Sequence, residues 1–148
     1  IRNEPADLVS AAEAIKNMSY ITATSTEFRR LNHIISHLSM DQKHLYVEER
    51  TIFAELRQRG ISGQLKILRA EHFDLKYYTE QLEHLVYRCC LMDFEEFKTK
   101  LDKVVSIFVP LKREHIFKED NLLFPIAVEM IRDSDFWNKF ESQHYSVM

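Results

Sequence analysis

Through most of this chain apolar residues return every three to four positions, the spacing of one face of an α-helix, and little interrupts them. The clearest run is Leu65, Leu68, His72, Leu75, Thr79, Leu82, Val86, a stripe with a histidine set into it. A second run is Phe94, Phe97, Leu101, Val104, Phe108, Leu111, His115, Glu119, Leu122, Ile126, and it carries a histidine and a glutamate among its apolar residues. With 2 Gly and 3 Pro in 148 residues, the chain lacks the turn formers that a β fold needs. It reads as all-α, and its length fits one domain spanning residues 1–148.

Start and stop signals divide the helical pattern. A first helix is predicted from about Pro5 to Tyr20, ended by the polar run from Thr22 to Thr26. Thr24 with Glu27 forms a capping box for a second helix, which Gly60 stops after Arg59. Ser62 caps a third, running to about Cys90, and Asp93 with Glu96 caps a fourth. Pro110 and Pro125 are expected to kink or interrupt that fourth helix. A short tail helix, from about Asp135 to Phe140, is expected to pack Phe136 or Trp137 back on the rest. Long amphipathic segments with short connections predict an up-down-up-down four-helix bundle with a short C-terminal helix.

Charge and cysteine usage exclude several classes. The net charge is −3 and the Lys and Arg residues are scattered, so the basic stripe of a nucleic-acid binder is missing. No apolar run approaches the roughly 18 residues of a membrane span, and no signal-peptide pattern opens the chain. Cys89 and Cys90 are adjacent, which makes neither a CxxC site nor a disulfide framework, and a reducing, cytoplasmic setting is expected.

The feature that carries chemistry is an internal echo. His44-Leu-Tyr-Val-Glu48-Glu-Arg-Thr-Ile-Phe53 matches His115-Ile-Phe-Lys-Glu119-Asp-Asn-Leu-Leu-Phe124. Both read His, Glu four residues on, an acid, then Phe nine residues after the His. Residues four apart share a helix face, roughly 6 Å apart along the axis, so a His and a Glu so placed can address one metal centre. A lone pair of this kind is usually a surface ion pair or a satisfied histidine. Two matching copies, with His72 inward on a third helix, point instead to a shared centre, because a carboxylate in an apolar stripe must be paired or metal-bound. A buried His–Glu network without metal, in a helical interaction module, is the alternative reading. Tyr46, Phe53, Phe117 and Phe124 are expected to be core-packing residues that form an apolar wall around the site, with Tyr46 also placed to donate a hydrogen bond to a metal-bound ligand.

HLYVEERTIF and HIFKEDNLLFP resemble the HxxxE signatures of hemerythrin-like (HHE cation-binding) domains, and RAEHFDLK is similar to that family's third-helix histidine segment. The resemblance covers about Phe28 to Phe140 and is nearest to a bacterial and archaeal branch often found beside PAS sensor domains. It implies a non-haem centre of two Fe ions, carboxylate- and oxo-bridged. His44, His72 and His115 would be terminal ligands, and Glu48 and Glu119 would bridge. Two departures from the oxygen carriers stand out. Their third helix has two histidines four apart, whereas positions 68 and 76 here are Leu and Lys. Their first helix has a ligand histidine, and no His precedes His33 here. Glu4 is the substitute expected on the first helix, although an acid at a helix start is also favoured by the dipole. His37 is its rival, but it lies seven residues before His44, roughly 10 Å along the axis. His33, His84 and His144 carry no partner pattern.

Imidazole and carboxylate ligands suit iron, and also Zn or Mn, while the absence of thiolates speaks against a structural zinc site. The HxxxE spacing differs from the Glu-x-x-His of ferritin-like di-iron proteins. Three histidines, two bridging carboxylates and an oxo bridge leave positions open on two six-coordinate irons. The reading is therefore a di-iron domain that binds or senses oxygen, nitric oxide or redox state, coupled to a sensor or signalling domain. The alternative is a di-iron enzyme or iron-handling protein acting on nitric oxide or peroxide, or repairing iron centres.

Overall fold

The structure, a computed structural model, describes residues 4–146, with side chains as far as Gln143. Every regular element among them is helical: α1 (Glu4–Lys16), α2 (Thr26–Glu48), α3 (Ala54–Gln58), α4 (Gly63–Arg88), α5 (Phe94–Lys118), α6 (Phe124–Met130) and α7 (Ser134–Ser146). The expected all-helical bundle is thus the architecture found. Two π-helical turns, Glu49–Phe53 and Glu119–Leu123, join α2 to α3 and α5 to α6. The backbone stays right-handed helical through both joints, at Glu48 and Ala54 and at Lys118 and Phe124.

Contacts divide the chain into two compact units. The first holds residues up to Ser39 together with Leu75–Arg113. Its buried side chains include Leu8, Ile15, Leu31, Leu38, Leu82, Phe97 and Phe108. α1 ends at Lys16, before the expected Tyr20, where Met18 N–H turns back to the Ile15 carbonyl. Lys98 Nζ donates to the carbonyls of Lys16 and Met18, placing a positive charge on the negative end of α1. At α2 the helical hydrogen bonding opens at Ser25, whose carbonyl accepts from Arg29 N–H, one residue after the expected Thr24. Asp93 caps α5 as the sequence indicates, its carboxylate accepting from Glu96 N–H at 3.1 Å.

The second unit holds Met40–Asp74 together with the residues from Glu114 onward. Its apolar core is Ile52, Phe53, Leu56, Leu65, Leu68, Leu123, Ala127 and Ile131, against which Phe136, Trp137 and Phe140 of α7 pack. Trp137 Nε1 donates to the Ile131 carbonyl at 2.7 Å. α7 is longer than the expected Asp135–Phe140 segment.

The stop after α3 is a Schellman motif: Gly60 N–H donates to the Arg57 carbonyl and Ile61 N–H to the Leu56 carbonyl. Gly60 has φ +91°, and Ile61 packs against the cluster that contains Leu56. Ser62 opens α4 through its carbonyl, which accepts from Lys66 N–H.

All seven residues of the α4 stripe named from sequence are buried. Thr79 is satisfied there by donating to the Leu75 carbonyl at 2.7 Å. The stripe of the following helix is buried at Phe97, Leu101, Phe108, His115 and Glu119, half-buried at Phe94, Val104 and Leu111, and changes phase after Glu119. Leu122 is 41 % exposed and Ile126 only half-buried, while Leu123 and Ala127 hold the core positions. The π turn causes this, because its wider ring adds a residue and shifts the phase of everything downstream. Pro110 sits inside α5 without ending it, and Pro125 falls in the first turn of α6, where its missing N–H is tolerated. Among the described residues, no helix is long and apolar enough to cross a membrane.

Gly60→Ala is expected to destabilise the protein by about 1 kcal/mol, since a Cβ meets nothing there and the loss is purely conformational. A urea unfolding series should show a lower midpoint with unchanged slope.

Candidate metal centre

The last two turns of α2 bring His44 and Glu48 inward, one helical turn apart. α4 brings His72, the end of α5 brings His115, and Glu119 is the first residue of the second π turn. All five are buried. They belong to the second unit and come from three stretches of chain far apart in sequence.

Their polar atoms converge. His72 Nε2 and His115 Nε2 are 3.0 Å apart, and Glu119 Oε1 lies 2.8 Å from His115 Nε2 and 4.0 Å from His72 Nε2. Glu48 Oε2 lies 3.8 Å from His72 Nε2. His72, His115 and Glu119 form a cation-competent group whose ligand atoms all fall within 4.8 Å of one another. Phe53 stacks on the His72 ring at a centroid distance of 5.4 Å, closing one side with apolar surface.

The far nitrogens of the same rings decide which tautomer the site holds. His72 Nδ1 donates to Glu49 Oε1 at 3.0 Å, and His115 Nδ1 donates to Glu71 Oε1 at 2.9 Å. A carboxylate accepts, so both Nδ1 atoms carry the hydrogen and both Nε2 atoms turn lone pairs toward each other. Two lone pairs at 3.0 Å repel unless a proton or a cation lies between them. That separation is also the spacing of two neighbouring ligands on one ion with metal–nitrogen bonds of about 2.1 Å. The donor set therefore fits a cation, and the carboxylate–imidazole pairs are the usual outer support of metal-bound histidines. His44 shows the same arrangement more loosely, with Asp41 Oδ1 3.9 Å from its Nδ1.

The charges around this core are balanced unequally. Lys118 Nζ donates to Glu71 Oε2, and that bond raises the lysine above its ordinary value. Burial pushes the Glu49 carboxyl up, while Arg69 and Arg57 pull it down less strongly. For Glu119 burial acts upward, but with a proton in place of a cation on His115 Nε2, the hydrogen bonds of His115 and Glu48 and the charges of His115 and His72 together hold it below the ordinary carboxylate value.

The profile of the hemerythrin HHE cation binding domain matches residues 2–127. The chain belongs to that family. No curated protein and no solved structure gave a significant match. As the description of the HHE family says, its members bind cations, and the buried His/Glu cluster is where this chain carries the residues for it.

Of the residues expected to build the HHE site, the structure brings Glu48, His72, His115 and Glu119 within reach of one another, and buries His44 one turn from Glu48. Glu4 is also buried, at the first position of α1 in the other unit. His37 is exposed and faces His33, so it is a surface group. The side chain of His144 lies outside the described residues. Two aromatic expectations fail. Tyr46 is exposed and its hydroxyl accepts from Arg50 at 2.5 Å, and Phe117 is 63 % exposed. Both sit two residues after their histidine, which on a helix turns them outward. The residues that sequence reasoning missed are Glu49, Glu71, Lys118 and Asp41. Only Glu49 left a trace, as the acid after Glu48 in the echo, and its counterpart Asp120 is exposed.

Glu71→Gln keeps the shape but loses the charged acceptor, and metal affinity should fall about 10- to 100-fold in a competition titration. Lys118→Met should weaken binding less, because Glu71 keeps its bond to His115. In metal-free protein, the lowered Glu119 value contributes stability that is present in full above the unfolded carboxylate value of 4.5 and lost as pH falls through the folded value. The stability advantage of wild type over Glu119→Gln should therefore shrink on acidification; an advantage that grew would contradict the assignment.

Proposed function

We propose that the chain, read as one hemerythrin-like domain over residues 1–148, is a non-haem di-iron protein that binds or senses oxygen, nitric oxide or redox state. The observation that carries this is the pair of imidazoles with Nδ1 pinned to carboxylates and Nε2 facing each other at 3.0 Å beside Glu119. In this reading His72 and His115 would serve one ion and His44 the other. Glu48 and Glu119 are shared between the two. Zn or Mn in place of iron is the competing occupancy, because affinity order alone does not select among them.

Iron so held supplies coordination positions that the protein leaves open to small diatomic ligands. The residues of the chain do the rest. Glu49 and Glu71 keep the imidazoles in the ligating tautomer, Lys118 offsets the charge of Glu71, and Phe53 with the core beneath it excludes water from the His72 side. A change in ligation or oxidation state would reach the rest of the unit through the π turns, which begin at Glu49 and Glu119. We further propose that the partner reading this change is a sensor or signalling domain.

Protein purified without added metal should contain about two irons per chain by elemental analysis, with near-ultraviolet absorption that changes on adding oxygen or nitric oxide to the reduced form. His115→Ala should strip the metal and lower the melting temperature, and acidification to roughly pH 4 should release it, because the ligands must be deprotonated. One zinc per chain, or no metal after reconstitution with iron, would sink the di-iron reading. Steady-state turnover of nitric oxide or peroxide would replace the sensor with an enzyme.

A further inference from the structure

α2 carries a second pair of facing imidazoles, in the first unit and independent of the buried cluster. His33 and His37 lie four apart on its exposed face, with their Nε2 atoms 3.2 Å from each other. Their rings meet edge to face at 77°, with centroids 4.5 Å apart. We propose that this pair is a surface chelate for one divalent cation of the copper, nickel and zinc class.

The geometry suits one ion. Two metal–nitrogen bonds of about 2.05 Å that span 3.2 Å enclose an angle of about 100°, between the square and tetrahedral values. The helix sets this distance through the i, i+4 relation, so the rings need no backbone movement to close on a cation. In the metal-free pair, one ring N–H donates to the other ring's lone pair. An ion takes the place of that proton and binds both rings, which are already turned toward each other.

The donor set also separates this pair from the buried centre. The pair offers imidazole alone, which suits copper, nickel and zinc, whereas the buried cluster mixes imidazole with carboxylate. Exposure leaves the remaining coordination positions to water or to an exchanging ligand. One turn toward the start of α2, Arg30 is turned aside, its Nη2 donating to Ser10 Oγ at 3.2 Å. Arg29, exposed and four residues before His33 on the same helix, would limit the affinity. Binding clamps two turns of α2 and should stabilise the helix.

The test is a nickel titration of the whole chain, followed by calorimetry and by the imidazole resonances, for wild type, His33→Gln and His37→Gln. Both positions are exposed, so the variants should melt like wild type in the presence of a chelator. Wild type should bind a nickel ion that each variant holds at least about tenfold more weakly, while iron content at the buried centre stays the same. Equal nickel affinity in all three proteins, a loss in only one variant, or no nickel bound by wild type would each overturn the chelate. Iron content does not enter that judgement, so failure here and failure of the di-iron reading are read separately.

Discussion

Taking charged side chains out of water costs several kcal/mol per ion unless each is matched by a partner of opposite charge or a hydrogen bond. The second unit buries His44, Glu48, His72, His115 and Glu119 together, and its design follows from making that tolerable. α2 and α4 each supply a candidate ligand, with a neighbouring residue that supports a candidate ligand on the next helix. α2 offers Glu48 inward, and the residue after it, Glu49, holds His72 of α4. α4 offers His72 inward, and the residue before it, Glu71, holds His115 of α5. α5 closes the sequence with Lys118, one residue from Glu119, bound to Glu71. The polar cluster is thereby tied together by its own neighbours along the chain, and the apolar core of Phe53, Leu68 and Leu123 can close beside it.

That arrangement also explains the chemistry open to the site. Pinning Nδ1 leaves Nε2 as the only lone pair a ring can offer, so the two rings are committed to a cation or a shared proton. The inequality between the outer partners matters too. Glu71 is offset by a lysine bonded to it directly, whereas Glu49 sees its arginines only through space. The two histidines therefore feel different fields, and a centre built on them is electronically asymmetric before any ligand arrives.

Much of this was legible in the sequence. The α4 stripe is buried at every position named from periodicity, and the five inward His and Glu residues were found from the echo and the stripes. The caps at Asp93 and the stop at Gly60 were visible because their chemistry is local. What failed needed information from across space. Glu71 and Lys118 stand at ordinary helix-surface positions, and nothing in their spacing shows that one closes on His115 and the other on Glu71. Tyr46 and Phe117 were misplaced because sharing a motif with a ligand is not sharing its face. Leu122 and Ile126 were misplaced because the α period was carried through a turn that does not keep it.

A signal for that turn was present in a form that α periodicity hides. His115, Glu119, Leu123, Ala127 and Ile131 are all buried and all four apart. On an unbroken α-helix, steps of four advance the face by about 40° each, so the last would point roughly 160° away from the first. The wide turn absorbs part of that drift. Chain length between His115 and Ile131 thus acts as a gear that meshes the ligand face with the apolar face. The extra residue within Glu119–Leu123 is taken up by the wide turn, so the packing of α6 stays on the side that holds the cluster, whereas the same residue in a strictly α-helical stretch would turn that packing about 100° away. Length here is itself encoded information, as specific as the identity of any ligand.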